Sequence, residues 1–294
     1  MLLATVLFSV MSVSARLASA DASWTLVAAA RSGVGVGVAW TVARARRVSL
    51  RIDQPRVAWG RSLCGTAAVL CTFFTLGAPA MALGDIASLR GTAPVFIALL
   101  GVLILGESPG RRVFLAVPIA FSGVVMVLRP QLALAGHLAL IALVGAFMSA
   151  LAMTFLRRLG PTEQPEAVAL HFMVVSFVVT FALSLTDLRI RSWGGAGWLA
   201  LAGMTGGLAQ LAVTRAYALE RAARVGAIGY FGIVLTQFLA EIWLGEVVEF
   251  HQRLGALMVV MAGLVLAVAA VRDRRQRNLS WRAVSERRPG TRTP

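Results

Sequence analysis

The chain has 294 residues, 58% hydrophobic and 14% charged, with a mean hydropathy of +0.79. A soluble domain is about 45–50% apolar and about 25% charged. No sizeable soluble domain fits, and the hydropathy, 28 glycines and two cysteines exclude disordered, collagen-like and disulfide-rich classes.

The net charge of +15 comes entirely from Arg among the basic residues, which cluster between apolar stretches and in the tail after Val271. That pattern belongs to the short loops that orient a multispan membrane protein, so the expected partner is a lipid bilayer, not nucleic acid. One membrane span needs roughly 20 apolar residues. Ten candidate spans follow one another: 1–20, 24–42, 57–78, 84–105, 111–128, 136–157, 166–186, 196–217, 223–245 and 254–271. The first begins at Met1 without a basic leader, so a cleavable signal peptide is not expected.

Ten spans put both ends on one side. Nineteen Arg then fall on that side, from Arg44 and Arg46 in the first such loop to Arg292 in the tail. Four fall on the other side: Arg129, Arg189, Arg191 and Arg253. Arg marks the cytoplasmic face, so both termini are expected there, in a multi-pass inner-membrane protein.

The end of span four, PVFIALLGVLILGE, closes at Glu107, and the end of span nine, GIVLTQFLAEIWLGE, closes at Glu246, 139 residues later. The next spans align as well, around Gly123 and Gly263. Each half holds five spans, an odd number, so the second copy enters the membrane inverted. Inverted repeats with a solute site between the halves are a transporter signature. The expected units are 1–130, 131–271 and a basic cytoplasmic tail, 272–294.

Charge inside a bilayer is costly and marks candidate sites. Arg31 and Arg90 lie seven and six residues from the outer ends of their spans, and Arg16 and Glu241 lie four from theirs. These depths are about 6–10 Å, giving one outer layer suited to anionic or zwitterionic solutes. Glu241 is read as a counter-ion in that layer rather than a proton carrier. Snorkelling to the headgroups competes for Arg16 and Glu241, and a buried ion pair competes for Arg31 and Arg90. Arg61 and Arg215, near inner ends, read as interfacial anchors.

Polar stripes at helical spacing point to a shared cavity: Thr5, Ser9, Ser12 and Arg16 on span one; Asp85, Ser88 and Thr92 on span four, with Arg90 opposite; Gln210, Thr214 and Tyr217 on span eight; Tyr230, Gln237 and Glu241 on span nine. Interhelical hydrogen bonding is the competing reading of each. Pro94, mid-span, reads as a hinge or as packing. Gly33 with Gly37, and Gly203 with Gly207, read as small-residue helix contacts. Cys64 and Cys71 are two turns apart, about 10 Å, too far for a disulfide. No cofactor or metal spacing occurs, and His137, His171 and His251 sit at separate helix ends, which disfavours an intramembrane enzyme.

The segments SVMSVSARL, AAARSG, FFTLGAPAMALGDIASLRGTAP, LGESPGRRVFLAVPIAFSGVVMVLRP and RAYALERAARVGAIGYFGIVLTQFLAEIWLGE resemble the drug/metabolite transporter superfamily, in its ten-span form with two EamA-type repeats. The resemblance runs from residue 1 to about 271. It departs at Ile233, where the second repeat lacks a match to Pro94, and at Gly84–Asp85, where relatives often place the acid one residue earlier. It implies an all-α membrane carrier of ten transmembrane helices in two inverted five-helix repeats, working by alternating access. The implied cavity is walled by spans one, three, four, six, eight and nine. The residues themselves favour spans one, two, four, eight and nine, and a small polar metabolite such as an amino acid or carboxylate. Lipid scrambling or a structural role without transport is the alternative, and a second copy of the chain is a candidate partner.

Overall fold

The computed structural model describes residues 1–105, 132–219 and 231–262 continuously, with isolated positions between and beyond them. All regular structure among the described residues is helical: α1 (Leu2–Ala18), α2 (Trp24–Ala45), α3 (Pro55–Gly77), α4 (Leu83–Arg90), α5 (Ala93–Leu105), α6 (Leu132–Leu159), α7 (Pro165–Ser184), α8 (Trp193–Leu219) and α9 (Phe231–Leu244). A further helical run covers 250–262. Most of the predicted span 111–128, the Glu107 end of span four and the tail 272–294 lie outside the described residues.

Five helices are long and apolar enough to cross a membrane: α2, α3, residues 136–159 of α6, α7 and α8; α1 and α9 are apolar but shorter. Their outward faces carry Leu140, Val178, Phe238 and Leu257, all exposed. Bare aliphatic and aromatic surface of this kind is stable against lipid tails and unstable in water. The local sequence sets the helix starts. Ser23 caps α2 by accepting the Leu26 N–H at 3.3 Å. Pro55 and Pro165 open α3 and α7, where the missing N–H has no helical partner to lose.

The predicted fourth span is two helices. It breaks at Gly91–Thr92, where the Thr92 N–H turns to the Leu89 carbonyl at 3.1 Å and the Val95 N–H takes the Thr92 carbonyl at 2.9 Å. Pro94, expected mid-span, therefore stands in the first turn of α5, where a proline is tolerated.

The two parts of the chain interlock. Helix α1 packs on α8 and α9, and α6 packs on α3 and α4; α2 packs on α7 and α8, and α7 packs on α2 and α3. Each of these contacts joins a helix before residue 105 to one after residue 132. A close backbone approach joins Gly35 and Gly207: a Cβ built on Gly207 would stand 2.9 Å from the Gly35 Cα. Gly33 abuts the Phe177 ring and Gly203 abuts Val34, whereas Gly37, expected in a helix contact, faces open space. Small residues let backbones approach where burial alone cannot drive association in lipid.

The helix ends gather on two faces. On one, the Glu163 carboxylate accepts the N–H groups of Asp53 and Gln54 at 3.0 and 2.7 Å, holding the start of α3. Glu166 there pairs with Arg215 at 2.6 Å. Arg215 is thus held in an ion pair at the rim, near the inner end where an anchor was expected. On the opposite face, Asp21 accepts from Ser192 at 2.7 Å, and Ser192 caps α8 through the Gly195 N–H at 2.9 Å. An acid in the α1–α2 turn thus steadies α8, and an acid in the α6–α7 turn steadies α3.

Candidate functional site

A cavity of about 270 Å³ lies where these helices meet, with α1 to α9 all contributing to its wall. Its lining runs from Met1, Met153 and Tyr217 at one end to Leu76 and Leu83 at the other. The wall is mostly apolar, set with hydroxyls from Thr5, Ser9, Ser12, Thr72 and Thr236. Ser9 and Thr236 are joined across the wall at 2.9 Å, which ties α1 to α9. The size is near the lower end of small-ligand sites, roughly 300–1,000 Å³.

Three arginines enter this cavity, Arg31 from α2, Arg61 from α3 and Arg90 from α4, and no carboxylate lines it among the described residues. Arg31 is 3% exposed and Arg61 1%. Both share the Phe172 ring, with guanidinium carbons 5.7 and 4.1 Å from its centroid. Such cation–ring contacts contribute about 0.5–2 kcal/mol, far less than the solvation a buried guanidinium gives up. The only hydrogen bond described for Arg31 runs from Nη2 to Gln210 Oε1 at a long 3.5 Å. Gln210 is itself held by Thr214 at 3.2 Å. The Nε and Nη1 atoms of both Arg31 and Arg61 are buried with no hydrogen-bond partner.

Glycines make room for both side chains. A Cβ on Gly206 would stand 2.9 Å from Arg31 Cγ, and one on Gly65 would run into Arg61 Nη1 and the Phe172 ring. Arg31 stands seven residues from the start of α2 on one membrane face, and Arg61 six from the start of α3 on the other. At 1.5 Å per residue each Cα is about 9–11 Å deep. The two side chains therefore reach toward the middle from opposite faces. An outer layer containing Arg31, Arg90, Arg16 and Glu241 is replaced by a central cluster of Arg31, Arg61 and Arg90.

Of the residues singled out in the sequence, Thr5, Ser9, Ser12, Arg31, Arg61, Arg90, Gln210 and Tyr217 line this cavity, whereas Arg16, Thr92, Gln237 and Glu241 are not in its lining. Arg16 is bound to backbone: Nη1 donates to the carbonyls of Leu76 and Ala78 at 2.7 and 2.6 Å, and Nη2 donates to Met81. It satisfies carbonyls that the end of α3 leaves unpaired. Thr92 Oγ1 donates to Leu89 at 2.7 Å within its own turn. Gln237 Nε2 donates to Ser88 Oγ at 3.3 Å. Glu241 pairs with Arg253 at 2.8 Å, on side chains 33% and 62% exposed, and so is not the counter-ion of the buried arginines. Tyr230 lies outside the described residues. Arg61, expected as an interfacial anchor, is among the most buried side chains in the protein. Its one sequence signal is Gly65, four residues on and so on the same helix face.

Glu246, noticed as the close of a repeated segment, has a structural task on the face that carries Asp21. Helix α9 ends at Gly245 in the left-handed conformation, φ 64°. That turn brings the Glu246 carboxylate onto the start of α4, where it accepts the N–H groups of Leu83 and Gly84 at 2.8 and 3.3 Å. The α4 N-cap, Ala82, has no capping side chain of its own. Beside it, Gln252 Nε2 donates to both oxygens of Asp85 at 2.9 and 3.0 Å.

Apolar helices packed around an arginine-bearing chamber define a multi-pass membrane protein with a solute-sized cavity. Residues 137–269 match the EamA-like transporter family. The chain is similar to the pseudopaline exporter CntI of Pseudomonas aeruginosa, 26% identical over 270 residues, covering 90% of this chain and 93% of that protein. It is also similar to a riboflavin transporter of Rhizobium johnstonii, 24% identical over 279 residues and covering 94% and 92% of the two chains. An uncharacterized transporter of Helicobacter pylori is 28% identical over 221 residues, 72% of this chain and 73% of its own. A solved crystal structure shares the fold, with a TM-score of 0.68 at 18% identity over 92% of this chain and 96% of that one. These named relatives are transporters.

Proposed function

We propose that the protein is a secondary transporter of the cytoplasmic membrane that carries a small polar metabolite bearing a carboxylate or similar anionic group. The observation that carries this reading is the cluster of arginines, two of them with buried unpaired nitrogens, in a mostly apolar chamber. In this reading the chain spans the membrane ten times, as inverted repeats 1–130 and 131–271 with both termini and the tail in the cytoplasm. The matching roles of Asp21 and Glu163, and the pairing of α1 with α8 as α6 pairs with α3, support the repeats. The excess of Arg in alternate loops supports the orientation. Arg31 and Arg90 bind the solute with Ser12 and Gln210 beside them, and the halves rock about this site to expose it to each side in turn.

Metabolite profiling of a deletion strain, followed by uptake of the altered compounds into vesicles holding the purified protein, tests the reading. An anionic metabolite should change in the strain and move in the vesicles. Movement of labelled lipid with no solute movement would overturn the reading.

A further inference from the structure

Arg61 adds a second fully buried guanidinium to the site. Together, Arg31 and Arg61 hold four buried nitrogens without a hydrogen-bond partner, the Nε and Nη1 of each, and both residues line the cavity beside Phe172. A buried donor without an acceptor costs about 1–3 kcal/mol, more when charged. Both arginines stand in beds cleared by Gly65 and Gly206, so the fold is shaped to hold them there. Two oxygens of one carboxylate or phosphoryl group offer about four lone-pair positions, fewer than the six N–H donors that these four nitrogens carry. One such group would occupy Arg31 and Arg61. Arg90 lines the same cavity, whose described lining holds no carboxylate, so a monoanion leaves two positive charges uncompensated.

We propose that the transported solute is a compact dianion, its first acidic group bridged by Arg31 and Arg61 and its second drawn to Arg90, with the three guanidiniums together setting the preference for dianions over zwitterions and monoanions. The shared chemistry is that of a short dicarboxylate or a phosphate monoester. This inference rests on the transporter reading above.

The test uses the full-length protein in vesicles, with labelled succinate, glycerol 3-phosphate, lactate and alanine as probes at neutral pH. Succinate or glycerol 3-phosphate should be taken up with at least tenfold higher kcat/KM than lactate or alanine, and whichever of the two moves faster identifies the acid group. Arg61→Gln should lose at least tenfold on the dianion and narrow its kcat/KM advantage over lactate and alanine at least threefold. Should Arg61→Gln fail to accumulate, Arg61→Lys is read instead: it keeps the charge but not the planar fork, and should lose at least threefold on the dianion. Uptake of lactate or alanine equal to or above the dianions would overturn the dianion proposal and leave the transporter reading standing. Equal losses on all probes in a well-folded Arg61 variant would also overturn it. No uptake of any probe, together with an unchanged metabolite profile in the deletion strain, would overturn both.

Discussion

Replacing Glu246 by Gln removes the charge from the one side-chain cap that α4 has while keeping its shape. The native carboxylate accepts two N–H groups, at 2.8 and 3.3 Å, across the junction between the segment before residue 105 and the segment after residue 132. Hydrogen bonds to a charged group contribute about 1.5–3 kcal/mol, and a partly buried charge at a helix terminus up to about 2 kcal/mol. The amide retains one acceptor oxygen, so the net loss should be about 1–2 kcal/mol, a factor of roughly 5–30 in an equilibrium. In the alternating-access reading this contact clasps the outer face and must part when the cavity opens outward. Glu246→Gln should therefore raise the outward-open population by that factor. The assay is the rate at which an impermeant thiol reagent, added outside, modifies Ile86→Cys in a Cys64→Ser, Cys71→Ser background. Ile86 lines the cavity two residues from the Glu246 contact. Faster modification with unchanged protein abundance is the expected result. An unchanged or slower rate would refute the clasp.

Gly245→Ala should act in the same direction, because a left-handed Ala costs about 1–2 kcal/mol and misdirects Glu246; the same Ile86→Cys rate reads it. Arg31→Gln should reduce solute uptake at least tenfold with membrane abundance intact on quantitative blots, whereas joint loss of protein and transport would assign Arg31 a structural role. Glu241→Gln should leave uptake within about twofold, since a half-exposed pair with Arg253 contributes less than about 1 kcal/mol. A reporter active only outside the cytoplasm should stay silent when fused after Arg277, and strong activity would sink the ten-span topology.

The helices were legible because apolar runs of membrane length leave few other options, and span limits at residues 24, 57, 136 and 166 fall within a few residues of α2, α3, α6 and α7. Arg31 and Arg90 were visible as charges deep in apolar sequence. Arg61 was not, because depth along a helix says nothing of where a long side chain ends. Six residues from its helix start it can reach water or the protein centre, and Gly65 and Phe172 decide for the centre. Glu241 failed as a cavity residue for the opposite reason. Its depth matched the arginines, but its helix face turns to Arg253. The break at Gly91 was hidden because the apolar run 93–105 carried the reading of one span through 84–105, although Gly91 and Pro94 together were available as its signal. Long-range partners such as Glu246 with Leu83, or Asp21 with Ser192, depend on tertiary packing that no local pattern encodes.

Two-sided access to the arginine cavity is the central claim, and a single cysteine at Ser12 tests it most directly. Ser12 lines the cavity from α1 and is buried. In vesicles of defined orientation holding Ser12→Cys in the Cys64→Ser, Cys71→Ser background, an impermeant thiol reagent is added to one side at a time. The account predicts modification from either side, slowed at least threefold from both sides by a transported solute. Modification from one side only, or from neither, would contradict it.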